Sequence, residues 1–117
     1  MRGDERRVVD AFELWLTNEG WTVEREVEFL DLLAQRAGDR LHVEAKGRTA
    51  AIGTDVDTMY GQILRRMPIA EDAEARFAVV VPSEAQTAVL RVSPRLRELL
   101  RIDVYVVDES DHVSGPV

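Results

Sequence analysis

The chain has 117 residues, 45% of them hydrophobic and 32% charged, with a formal net charge of −7 and no cysteine. Its length suits one domain with a single core, and its composition lies far from the disordered range. The missing cysteines exclude a disulfide framework and thiolate metal sites, and they suit a reducing, cytoplasmic setting.

From Asp4 to Asn18 the apolar residues Val8, Val9, Phe12, Trp15 and Leu16 recur at helical spacing, and Gly20 supplies a stop. The charged start around Arg2, Asp4, Glu5, Arg6 and Arg7 is followed by no apolar stretch of the kind a secretory signal needs. Trp21–Glu28 alternates in polarity like a strand with one wet face. Two further strands, Phe29–Ala37 and Arg40–Lys46, flank Gly38-Asp39, which is expected to form a tight hairpin turn. Gly47–Gly53 is a loop. Thr54–Met67 carries an apolar stripe of Val56, Met59, Tyr60, Ile63 and Leu64, so a second helix is expected.

Arg76–Val81 is nearly all apolar, as in a central strand buried on both faces. It is also far too short to span a bilayer, so no membrane partner is expected. A helical stretch follows from Pro82 to Leu90, and Ser93-Pro94 caps another through Leu100. Ile102–Val107 reads as the last strand, leaving 1–108 as the folded domain and 109–117 as a flexible tail. The order helix, three strands, helix, strand, helix, strand predicts an α/β fold. One mixed central sheet should be flanked by helices on both faces, with a parallel crossover between Leu41 and Val81.

The hairpin carries the chemistry. A Gly38-Asp39 turn sets Ala37 opposite Arg40 and, counting outward, Asp31 opposite Lys46. Side chains alternate across a strand, so Asp31, Glu44 and Lys46 then share one face, while Leu30, Leu32, Ala34, Leu41, Val43 and Ala45 share the other. Two adjacent carboxylates repel, and a hard cation such as Mg²⁺ (or Mn²⁺) relieves that repulsion while keeping waters for a substrate phosphate. Fourteen of the fifteen basic residues are Arg, and the single Lys is Lys46. Its compact ammonium can hold a water or a phosphate oxygen, and its pKa is tunable where that of Arg is fixed.

Asp31 and, thirteen positions on, Glu44-Ala45-Lys46 resemble the D…(D/E)-x-K signature of the PD-(D/E)xK nucleases, which have the restriction-endonuclease-like fold. The resemblance covers the order of elements from about Val8 to Val107. It departs from the named motif at Leu30, where the motif has Pro. It implies a metal held by Asp31, Glu44 and the carbonyl of Ala45, with Lys46 placing the hydrolytic water. It also implies a Gln from the following helix, here Gln62, and an acidic residue from the first helix, for which Glu13 and Asp10 are both candidates. The implied activity is metal-dependent hydrolysis of DNA phosphodiesters by an endonuclease, with a homodimer a further implication. A non-catalytic binding or regulatory module that keeps the fold is the other expectation, and the acidic net charge favours it.

Arg48, Arg65 and Arg66 stand where they can contact phosphates, although a basic helix end facing water accounts for the last two equally well. The same bland reading applies to Gln62 and Glu13 as solvated helix residues. His42 shares the triad's face and reads as a surface residue. Arg91, Arg95, Arg97 and Arg101 form a basic stretch near the third helix. No nucleophile elbow, phosphate-cradling glycine loop or His-rich metal spacing points to a different enzyme.

Overall fold

The computed structural model describes residues 2–26, 30–47, 50–67 and 75–117. Helix α1 (Arg2–Asn18) is followed by strands β1 (Thr22–Arg25), β2 (Leu32–Arg36) and β3 (Asp39–Ala45). Helix α2 (Ile52–Arg66) and β4 (Ala75–Pro82) come next. A 3-10 turn at Ser83–Ala85 runs into the short helix α3 (Gln86–Val89), and α4 (Pro94–Leu100), β5 (Ile102–Val107) and β6 (Val113–Ser114) complete the chain. The six strands form one sheet in chain order. Neighbours are antiparallel from β1 to β3, parallel from β3 to β5, and antiparallel again at β6. This is the expected mixed sheet with helices on both faces.

Each face has its own apolar layer. Val8, Phe12 and Leu16, spaced at four residues, are fully buried and seat α1 on Leu32, Val43, Ala78 and Val80. On the other face Val56, Met59 and Ile63 of α2 cover Phe77, Val79, Val81 and Val104. Alternate residues of β4 therefore serve opposite cores, which is why the strand reads as an unbroken apolar run. Each such side chain contributes about 1.5–3 kcal/mol by leaving water. The Tyr60 hydroxyl donates to the Val89 carbonyl at 2.5 Å, tying α2 to α3. No helix among the described residues is long and apolar enough to cross a membrane.

The hairpin turn lies one residue earlier than expected. Arg36 pairs with Asp39, so Ala37 and Gly38 occupy the turn, with φ of 50° and 89°. A two-residue turn that matches strand twist needs positive φ at both central positions, and Gly is best suited to the second of them. Gly38 holds that second position. The ladder ends at Leu32 with Val43, and beyond it the Asp31 side chain hydrogen-bonds to that of Glu44. A pairing shift of two residues leaves the paired side chains on their original faces, but Leu30, ahead of β2, departs from the expected face and joins the core on the α2 side.

Two stretches differ in extent. β1 stops at Arg25, because Glu26 takes φ of 54° and donates its N–H to the Asp31 carbonyl at 3.0 Å. The rest of the expected strand, Val27 and Glu28, lies outside the described residues, as does Phe29, the expected start of the second strand. The second difference is the segment 109–117, expected as a loose tail, which is paired onto the sheet. The Asp108 carboxylate accepts from the N–H groups of Ser110 at 2.8 Å and His112 at 2.9 Å, and those bonds hold its pKa below the ordinary value. The chain so turned delivers Val113 and Ser114 to β5. Arg7 of α1 then donates to the Asp108 carbonyl and the Asp111 carboxylate, each at 2.8 Å, and the Val117 N–H reaches the Val104 carbonyl.

Candidate functional site

Asp31 sits just ahead of β2, where it continues the ladder by other means. Its N–H donates to the Val43 carbonyl at 3.1 Å, and its Oδ2 accepts the Ala45 N–H at 2.8 Å. A carboxylate oxygen thus takes the place of a main-chain carbonyl, fixing Asp31 over the end of β3. In a strand the N–H and C=O of one residue point to the same side, so the Ala45 carbonyl also faces the Asp31 edge.

Glu44 lies on the α2 face of β3 and is only 4% exposed. Burial is the main cause that pushes its pKa from 4.5 to about 7. The Asp31 charge and a hydrogen bond with Asp31 add to the shift, while Arg66 and Lys46 oppose it. Glu44 Oε1 is buried with no hydrogen-bond partner among the described residues. An isolated buried carboxylate oxygen is costly, and two carboxyls this close hold a proton between them unless a cation replaces it. Lys46 follows two residues on, half-buried, with its N–H bonded to the Val80 carbonyl at 3.0 Å.

From α2, Arg66 reaches the field of Glu44. Gln62, one turn earlier, is half-buried, and its Oε1 also lacks a partner among the described residues. Arg65 points elsewhere: it is exposed, and its Nε donates to the Gly61 carbonyl at 3.3 Å. Arg48 lies outside the described residues. His42, expected at the surface, is buried at 4% exposure with its ring 5.3 Å from that of Phe77. It shares the Glu44 face and packs beneath the site.

The acidic residue that α1 brings to this cluster is Glu5. Burial and the nearby Asp31 charge raise its pKa, and Lys46 lowers it. Glu13 and Asp10 are engaged elsewhere, because both form ion pairs with Arg25 of β1. A groove of about 170 Å³ leads to Asp31, with Glu5, Arg6, Arg25 and Glu26 along it. The sequence held a signal for Glu5. Positions 5, 8, 12 and 16 form one helical stripe, and a carboxylate stands where the apolar row ends. If Glu5 serves the site, Glu5→Gln lowers metal-dependent cleavage by tenfold or more. Glu13→Gln, which loses an exposed ion pair worth about 0–1 kcal/mol, leaves cleavage within about threefold. Parallel rate measurements on the two variants check this.

Gly47 fixes the approach of α1. A Cβ at this position would lie 2.3 Å from the Glu5 nitrogen and 2.7 Å from its Cα, so the helix backbone rests directly on the glycine. Any side chain must push the start of α1, and Glu5 with it, away from Asp31. Gly47→Ala is therefore expected to destabilise the fold by about 1–3 kcal/mol, measured by denaturant unfolding, as overpacked sites do.

Among the described residues no group of three or more His, Asp and Glu side chains is placed to hold a metal ion. The oxygens present are two carboxylates with a main-chain carbonyl alongside. That donor set suits a hard divalent cation which keeps part of its water shell. The buried, unpartnered Glu44 oxygen fits such an ion.

No protein-family description matches the sequence, and no curated protein does. Solved structures do resemble it. An XisH family protein from Nostoc punctiforme PCC 73102 superposes with a TM-score of 0.66 at 17% identity, covering 93% of this chain and 97% of its own. An FdxN element excision controlling factor protein from Anabaena variabilis gives the same TM-score and identity, covering 94% of this chain and 97% of its own. The likeness is one of fold: this chain carries the restriction-endonuclease-like α/β core, with its mixed sheet between two helical layers.

Proposed function

We propose that this chain is a metal-dependent nuclease of the PD-(D/E)xK type that hydrolyses phosphodiester bonds in DNA as an endonuclease. The observation that carries the reading is the buried Glu44 carboxyl, with one oxygen unpartnered, set beside Asp31 and two residues before the only lysine. Asp31, Glu44 and the Ala45 carbonyl would hold Mg²⁺ or Mn²⁺. Such a cation supplies a lowered pKa for bound water and offsets charge on the phosphoryl group.

The chain's own residues do the rest. Lys46 holds the attacking water or a non-bridging phosphate oxygen with its ammonium. Gln62 offers a carbonyl oxygen, without a partner among the described residues, to orient a donor in the site, Arg66 offsets the carboxylates' charge, and Glu5 adds a third carboxylate at the groove. Attack on phosphorus cleaves the P–O bond to the leaving oxygen, and that oxygen is protonated from solvent.

A second reading is favoured by the description of one structural neighbour as an excision controlling factor. In that reading the fold binds DNA or a protein partner and cuts nothing, and the net charge of −7 weighs against DNA as that partner. Assays on single-stranded, duplex, nicked and branched DNA with Mg²⁺ or Mn²⁺ separate the two. Cleavage lost in EDTA and in Lys46→Ala supports the nuclease. Binding without metal-dependent cleavage on any of the four supports the regulatory module. Cytoplasmic residence and a homodimer, with two cores sharing one duplex, belong to the same proposal.

A further inference from the structure

At the opposite end of β3 from Glu44, a cleft of about 410 Å³ opens between the hairpin turn and the starts of β4 and β5. Four arginines line it: Arg36, Arg40, Arg76 and Arg101. In a chain with a net charge of −7, four guanidinium groups around one concavity form a local field of the opposite sign. Two carboxylates also line the cleft, Asp39 and Asp103.

The four arginines are held differently. The Arg36 guanidinium lies 4.4 Å from the centroid of the Trp21 ring, and its Nη1 donates to the Glu19 carbonyl at 2.8 Å. Stacking and a main-chain bond position the charge without neutralising it. Arg76 makes a bidentate pair with Asp103, at 3.2 and 2.9 Å. Arg101 caps α4 in the left-handed region, with φ of 59°, and its Nη1 reaches the Ala75 carbonyl at 3.5 Å. Arg40 is exposed on β3 and forms no ion pair among the described residues. Leu41 and Tyr105, both buried, floor the cleft, and burial pushes the Tyr105 phenol up to about 12, so the floor stays neutral.

Planar guanidinium groups presented around an aromatic-lined cleft suit phosphodiester oxygens, which they grip two at a time. We propose that this cleft binds the backbone of a nucleic acid away from the bond being cut. The nature of the occupant rests on the nuclease reading above. Arg40 is four residues from Glu44, about 13 Å along the strand. The two sites lie at different ends of the sheet, so the cleft is a second point of attachment and not an extension of the groove at Asp31.

The test uses the intact protein in EDTA with a 20-base-pair duplex and the matching single strand, titrated at several salt concentrations. Arg36→Gln combined with Arg40→Gln is expected to weaken binding at least tenfold at low salt. The slope of log affinity against log salt should fall by about 1–2, since each phosphate contact contributes about 0.9. In a Trp15→Phe background, where Trp21 is the only tryptophan, DNA should change the emission as phosphate draws Arg36 from the ring. Unchanged affinity and slope in the double variant overturn the proposal. So does a Trp21 signal that saturates with inorganic pyrophosphate but not with either DNA. The Mn²⁺-induced rise in melting temperature should survive the double substitution. Its absence in the wild type would count against the metal site while leaving an arginine-dependent salt slope standing.

Discussion

Lys46→Ala is expected to lower metal-dependent DNA cleavage by about 10²–10⁴-fold, the usual contribution of one positioned group to proton transfer or charge placement. The side chain is only half-buried and its backbone is fixed by the Val80 carbonyl, so the fold should be little changed. Rate and fold thus separate in this variant, apart from the loss of stability at high pH that Lys46 relieves at Glu44. Lys46→Arg should recover little, although it keeps the charge, because a planar fork cannot occupy the place of a compact ammonium. Single-turnover rates of the three proteins, alongside their melting temperatures, check both statements. If Lys46→Arg cleaves as fast as the wild type, the lysine contributes only general positive charge, and its singular place among fourteen arginines is without chemical meaning.

Glu44→Gln should make the metal-free protein more stable at pH 8, by about 2–3 kcal/mol. The sign follows from proton linkage. Burial and Asp31 hold the Glu44 carboxyl at about 7 in the folded chain, against 4.5 ordinarily. Between those values the native state binds more protons than the unfolded one, so this group's contribution falls as pH rises. Below about pH 4.5 both states are protonated and the penalty vanishes. Above about 7 it is complete, and a neutral amide avoids it. Lys46 and Arg66 relieve part of the penalty by lowering the Glu44 pKa, so Lys46→Ala should deepen the wild-type loss at high pH. Urea unfolding of wild type and Glu44→Gln from pH 4 to 8 measures the difference directly. A difference that does not vary with pH would mean that Glu44 titrates like an exposed carboxyl. Instability at this position is what a site kept for a cation, and not for the fold, should show.

Much of this was legible in the sequence because the two periodicities are strong. The stripe of Val8, Phe12 and Leu16 and the alternation at Leu41, Val43 and Ala45 announce which face meets the core. The hairpin register was misplaced, since Gly38 can open or close a two-residue turn when judged locally. Only the pairing of Arg36 with Asp39 decides that it closes one. The faces of the paired residues were right nonetheless, because a shift of two preserves parity, whereas Leu30, ahead of β2, packs on the opposite face.

Glu5 was passed over because acidic residues at a helix start usually serve the helix dipole. What singles it out is tertiary: α1 rests on Gly47 and so brings Glu5 to Asp31. Glu13, and after it Asp10, looked suitable from the sequence, but both pair with Arg25, a pairing across elements that no local pattern encodes. The paired C-terminal strand was missed for a similar reason. One of its anchors, the reach of Arg7 to Asp108 and Asp111, joins residues about a hundred positions apart. The arginine cleft likewise assembles from the hairpin, β4 and the end of α4, so a one-dimensional count showed only an acidic chain.

The joint possession of one cation by Asp31 and Glu44 is tested most directly by calorimetric titration of the metal-free protein with Mn²⁺ at pH 8, beside Asp31→Asn and Glu44→Gln. One saturable site in the wild type, releasing a proton in increasing amount as pH is lowered towards 7 and abolished in both variants, is the expected result. Equal Mn²⁺ affinity in all three proteins would contradict it.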